Sequence, residues 1–233
     1  TLLYAAQIYC DFSGYSDMAI ACARMLGFSL GENFRFPYLA TDIRDFWRRW
    51  HISLSSWLRD YLYISLGGNR GSRLFTLRNL MLTMLLGGLW HGASWNFVIW
   101  GGLHGVALAV HRVWRTVGVR MPERLGDAVG FILTFWWVNL AWIFFRAVDL
   151  DEALLVARSY VTLVDNGSRS LGPSLLWLLL LLAGLHVAGY LSARSRWWRQ
   201  APDWAFATAY GVLVALTLSL IHPAAQPFIY FQF

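Results

Sequence analysis

Four stretches of this 233-residue chain contain no Asp, Glu or Arg, and the sequence has no Lys: residues 79–111, 128–145, 170–193 and 204–233. Each is near or above the roughly 18–20 apolar residues with which an α-helix crosses about 30 Å of hydrocarbon. A soluble core can hide one such run. Four in one chain point to a lipid solvent. Charged residues make up only 14% of the sequence, against about 25% in soluble domains. The expected fold is therefore all-α, a polytopic integral membrane protein, with 1–233 as a single membrane domain in contact with lipid.

The formal net charge of +6 comes from Arg alone. Those arginines sit in short connections between apolar runs, which is the signature of membrane orientation and not of nucleic-acid binding. The 112–127 loop carries Arg112, Arg115, Arg120 and Arg124, and the 194–203 loop carries Arg194, Arg196 and Arg199. Between them, 146–169 is richer in acids, so both basic loops can face the cytoplasm. Arg70, Arg73 and Arg78 join that side only if 79–111 turns back on itself. Cys10 and Cys22 show no metal-ligand spacing and read as free buried thiols. Thr1 opens directly into LLYAAQIYCDFSGY, with no basic region followed by a cleavage site. The expectation is a partial chain, from the middle of a longer membrane protein onward.

Residues 1–27 read as a membrane helix interrupted by Asp11, Ser13, Gly14, Ser16 and Asp17. Carboxylates at that depth face protein or a wet cavity. From 28 to 79 charge alternates with bulky aromatics, and Trp47, Trp50, Leu54, Trp57, Leu58 and Tyr61 recur at three- and four-residue steps. That periodicity predicts an amphipathic, interfacial helix, closed by the turn sequence LGGNRGSR. The run 79–111 would be about 50 Å long as one straight helix, too long for a simple span. Its glycines, Gly87–Gly88, Gly92 and Gly101–Gly102, invite a break. Two segments are expected to meet near His91, as a hairpin or a re-entrant turn.

The familiar signatures of soluble enzymes are absent: no GxSxG elbow, no Walker loop, no HExxH, no paired CxxC. His104 and His111 are seven apart and could share a helix face, but no further metal ligand is apparent. His186 and His222 are isolated and suit packing or interfacial roles. His91 sits at the expected bend, flanked by glycines that let backbone or substrate approach closely. An ionisable ring inside a membrane segment is a functional candidate by default, and neutral imidazole can take a hydroxyl proton as a general base. A buried, hydrogen-bonded structural His is the alternative. His51, in RRWHISLS, is the second candidate. Arg48 and Arg49 beside it could hold phosphates of a donor or act as interfacial anchors.

Three blocks, YCDFSGYSDMAIACARMLGF, NFRFPYLATDIRDFWRRWHISLSSWLRDYLYISLGGNR and LLGGLWHGASWNFVIWGGLHG, closely resemble the membrane-bound O-acyltransferase family. The nearest match is its bacterial branch that acetylates polysaccharides such as alginate, and the likeness continues more loosely to the PFIYFQF end. The resemblance implies a ring of membrane helices around a thin centre pierced by a tunnel, with acyl donor entering from the cytoplasmic side. It implies that His91 is the catalytic histidine and that His51 is the second functional position. Arg48 and Arg49 remain candidate donor contacts. The implied reaction moves an acyl group, in the first place acetyl, from a thioester such as acetyl-CoA toward hydroxyls of an extracytoplasmic polysaccharide. The donor is substrate; no bound cofactor or metal is implied. It also implies a bacterial inner-membrane location and a periplasmic SGNH-type acetyltransferase as onward partner. Full members are roughly twice as long, so part of the ring lies outside this sequence. Two other readings stand beside it: D-alanyl transfer to teichoic acid by relatives of the same family, and an ion or proton path using Asp11, Asp17 and His91.

Overall fold

The computed structural model describes residues 1–118, 121–164, 172–195 and 200–220. The described residues are helical, with no strand among them, and the chain divides into two compact units, Thr1–Gly172 and Pro173–Phe233. The first unit contains α1 (Leu2–Met25), a 3-10 turn (Pro37–Leu39), α2 (Ile43–Arg49) and α3 (Ile52–Trp57), which runs into a π-helical turn (Leu58–Tyr63). Then come α4 (Arg73–His91), α5 (Trp95–Val117), α6 (Glu123–Arg146) and α7 (Leu150–Thr162). The second unit contains α8 (Pro173–Ser195) and α9 (Asp203–Leu220).

Two helices are long and apolar enough to cross a membrane, Glu123–Arg146 with 24 residues and Ser174–Ser195 with 22. At 1.5 Å per residue they span about 36 and 33 Å. The first is partly buried in its unit, whereas no residue of the second's apolar window is fully buried. An apolar helix with so little of its surface buried suits lipid. Helix α9 is apolar but shorter. The polar residues of α1 do not interrupt it: the helix runs unbroken through Asp11 to Asp17.

The 79–111 run breaks where the sequence predicts, after His91, and forms a hairpin. Gly92 caps α4, and the Ser94 side chain caps α5 by accepting from Asn96 N–H. The paired glycines have a different task from the expected one. They lie inside the helices and let α4 and α5 approach closely. A Cβ on Gly88 would run into the Phe97 carbonyl oxygen, and one on Gly101 into the Met84 carbonyl oxygen. Small residues at a helix crossing are how apolar helices gain contact when lipid removes the hydrophobic drive. Side chains then tie the hairpin to α6: Trp137 Nε1 donates to Leu103 O at 3.0 Å and Asn96 Nδ2 to Ala147 O at 2.9 Å.

The 47–61 periodicity does not form one helix. Helix α2 opens on Asp42, whose carboxylate accepts from Asp45 N–H at 2.7 Å, and closes with an Arg49–Asp45 ion pair at 2.8 Å. Trp50 is then extended (φ −102°, ψ 128°) and His51 left-handed (φ 43°, ψ 56°) before α3 begins. A left-handed non-glycine residue costs on the order of 1–2 kcal/mol. Core packing holds it: Trp47 and Trp50 are 8% and 2% exposed, whereas Trp57 and Tyr61 are 54% and 68% exposed and stack on each other. The stripe read as one interfacial face is thus divided between a core plug and a surface pair.

The close α4–α5 crossing makes a graded prediction. Gly101→Ala places its methyl against the Met84 carbonyl and is expected to cost about 1–3 kcal/mol. Gly102→Ala, where a Cβ meets only the tip of Leu85 at 3.7 Å, should be near neutral. Thermal unfolding in one detergent compares them; equal melting temperatures would remove the steric account.

Candidate active site

His91 is the last residue of α4, and its ring is walled by aromatic edges. Trp100 lies 5.1 Å away and Phe145 5.0 Å, both nearly perpendicular, with Phe97 at 6.1 Å and Trp90 at 5.1 Å. These walls come from α4, α5 and α6. His51 stands at the α2–α3 break, with Phe12 of α1 edge-on at 4.6 Å and Phe34 at 6.5 Å. The two walls are continuous through Trp50 and Trp142. Trp50 packs on Phe12 and Trp142, and Trp142 on Phe145 and Trp100. Both histidines are half-buried.

Burial pushes the His51 imidazole down to about 4, and positive charge on His91 pushes it the same way. The two rings therefore sit within electrostatic reach, although about 40 residues separate them in sequence. His51 is neutral near pH 7. Its Nδ1 lies 3.3 Å from Asn33 Oδ1 and 3.4 Å from Ser53 Oγ.

The other histidines separate. His104 is fully buried on α5, stacked on Phe46 and edge-on to Trp47 and Trp100 at 5.0 and 4.9 Å, and neither ring nitrogen has a hydrogen-bond partner among the described residues. Trp100 therefore touches both His91 and His104. His111 faces Asp42 at 3.9 Å, and no group of three or more metal-ligating side chains forms among the described residues. His186 is half-buried on α8 of the second unit, and His222 lies outside the described residues.

The two arginines differ. Arg49 is committed to Asp45 and reaches Arg35 O at 3.5 Å. Arg48 is exposed and makes no ion pair among the described residues. Cys10 and Cys22 are free, and exposed rather than buried. Periodicity and spacing give no hint of Phe12, Asn33, Trp100, Trp142 and Phe145. Each sits on a different part of the chain from the histidine it serves, and only the fold brings them to it. Phe12, Asn33 and Trp100 lie inside the conspicuous blocks, whereas Trp142 and Phe145 lie outside them.

Apolar helices around an aromatic wall that holds both histidines define a helical membrane protein. The sequence model of the MBOAT, membrane-bound O-acyltransferase, family matches residues 1–122, which include both histidines. The chain belongs to that family. It is 42% identical over 273 aligned residues to the probable alginate O-acetylase AlgI of Azotobacter vinelandii, covering all of this chain and 54% of that relative. It is 50% identical over 163 residues to the peptidoglycan O-acetyltransferase of Helicobacter pylori, covering 70% of this chain and 31% of that relative. The teichoic acid D-alanyltransferase of Streptococcus thermophilus is more distant, 30% identical over 163 residues, covering 61% and 39%. The chain thus spans about half the length of the first of these relatives and less of the others.

The lowered His51 pKa has a consequence for stability. An unfolded histidine takes up its proton near pH 6.5, whereas folded His51 resists until about 4. Its contribution to stability is whole above pH 6.5 and shrinks as pH falls from there toward 4. The melting temperature should fall across that window, and the fall should be shallower in His51→Gln. Superimposable pH profiles would show that His51 is not buried neutral.

Proposed function

We propose that this chain carries the histidine-bearing part of an O-acyltransferase of a bacterial inner membrane. The enzyme moves an acetyl group from a cytoplasmic thioester, acetyl-CoA or a similar donor, toward hydroxyls of an extracytoplasmic polysaccharide. The observation that supports it most is the placement of His51 and His91 on one continuous aromatic wall. Family membership, and relatives named for O-acetylation of alginate and peptidoglycan, favour acetyl over D-alanyl as the group moved.

In this reading His91 removes the proton from the acceptor hydroxyl as its oxygen attacks the thioester carbonyl carbon. The C–O bond forms, the C–S bond breaks, and the proton passes from the imidazolium to the departing thiolate. His51 orients the nucleophile or polarises the carbonyl. The aromatic rings exclude water that would otherwise hydrolyse the thioester. Arg48 is the better placed of the two arginines to meet donor phosphates, because Arg49 is already paired. A periplasmic SGNH-type acetyltransferase would carry the acetyl group onward to the polymer.

Acetyl transfer by the full-length protein tests this. His91→Ala should lose about 10²- to 10⁴-fold in turnover at normal expression; near-normal turnover would remove His91 from the mechanism. Envelope esters that prove to be D-alanyl would reassign the acyl group while leaving the site intact.

A further inference from the structure

The two ring nitrogens of His51 are not equivalent, and a backbone amide decides which is which. One terminal atom of the Asn33 carboxamide lies 3.1 Å from Ser53 N. A backbone N–H only donates, so that atom is the oxygen, Oδ1, and not the amide nitrogen. The same oxygen accepts the Ser53 hydroxyl at 2.8 Å and faces His51 Nδ1 at 3.3 Å. With its hydrogen directed to Asn33, Ser53 Oγ turns a lone pair toward Nδ1, 3.4 Å away. Nδ1 thus meets two acceptors, and the network assigns the ring hydrogen to it. In a neutral imidazole Nε2 is then an acceptor alone. Main-chain bonds hold this arrangement in register: Ile52 N–H donates to Asn33 O at 3.0 Å and Arg35 N–H to Arg49 O at 2.9 Å. The 33–35 loop is clamped across the α2–α3 break that presents His51.

We propose that Asn33 is a positioning residue that fixes His51 as the Nδ1–H tautomer, so that Nε2 accepts a hydrogen bond from a carbohydrate hydroxyl next to the one His91 deprotonates. This rests on the reading of His51 as part of the reacting pair, and it chooses between the two roles that reading leaves open. Polarising a carbonyl oxygen requires a donor, and neutral His51 offers none at Nε2. A neighbouring sugar hydroxyl brings its own hydrogen, and accepting it holds the sugar with the reacting hydroxyl turned toward His91. Asn33 acts through His51 and need not touch substrate.

The test uses the full-length protein in lipid nanodiscs with 15N-labelled histidine, His51 signals being assigned by their loss in His51→Ala. At pH 7.5 the expected His51 spectrum is that of an unprotonated Nε2 and a protonated Nδ1. In cells, Asn33→Leu should lower acetyl-ester content of the envelope by at least about tenfold, as expected for a histidine released into the wrong tautomer. Asn33→Asp, which keeps the acceptor oxygens, should restore most of it, and a purely volumetric role would not distinguish the two. A protonated Nε2 in the unsubstituted protein overturns the proposal, as does Asn33→Leu with full ester content at normal expression. If Asn33→Leu fails to accumulate, the tautomer measurement and Asn33→Asp still decide. Full ester content in His51→Ala would remove His51 from the reaction and the proposal with it. Loss in His51→Ala together with an Nε2–H tautomer would sink the Asn33 assignment alone.

Discussion

Trp50 and His51 make the break between α2 and α3, and much of the first unit packs around it. Trp50 turns inward and meets Phe12, Phe34, Phe46 and Trp142, which belong to α1, the following loop, α2 and α6. Burying so large a ring among four others is worth several kcal/mol by area. That exceeds the 1–2 kcal/mol order of cost of placing the next residue in the left-handed region. The strain at His51 is sustained by the tryptophan beside it. An unbroken helix through residues 43–63 would carry Trp50 and His51 round a continuous surface, and the core plug and the exposed imidazole edge could not both be satisfied.

For the proposed reaction, the aromatic wall would let a thioester and a histidine share a site inside a membrane protein. Edges of Trp100, Phe145 and Phe12 contact the two imidazoles, so the rings are confined by apolar surface instead of by carboxylates. Removing water raises the effective strength of every remaining dipole. It also leaves the imidazoles neutral, the form that accepts from a hydroxyl. A wet cleft would supply competing nucleophile to the thioester. In that reading the wall sets both protonation state and selectivity.

Much of the helix layout was legible in the sequence because charge-free length is a local property. The runs 128–145 and 204–233 overlap α6 and α9, 170–193 overlaps α8, and the break after His91 falls at a glycine between two capping signals. The break at Trp50–His51 was not legible. Trp47, Trp50, Leu54, Trp57 and Leu58 keep helical spacing across it, and periodicity cannot register a single left-handed residue that tertiary packing imposes. The glycine pairs misled in a related way. Composition marks them as weak points in a helix, but Gly88 and Gly101 are there for what passes beside them, which only the folded hairpin reveals. The histidines themselves stood out by their blocks; their walls, drawn from α1, α5 and α6, did not, since no local pattern links Phe12 to His51 or Phe145 to His91.

The chemistry of the partner at His51 argues for a division of labour between the two rings. A histidine that must store a proton is usually backed by a carboxylate, which stabilises the imidazolium that forms. His51 is backed by a neutral carboxamide and a hydroxyl, which fix its orientation and tautomer but give an imidazolium little support. Burial and the neighbouring His91 both disfavour charge on it. A ring so held is suited to accepting a hydrogen bond throughout the reaction and poorly suited to carrying the proton away. In the proposed reaction the proton then falls to His91, at the C-terminal end of α4, where the carbonyls of a helix end favour positive charge. Two neutral imidazoles in one dry wall are thereby made unequal by what lies behind each.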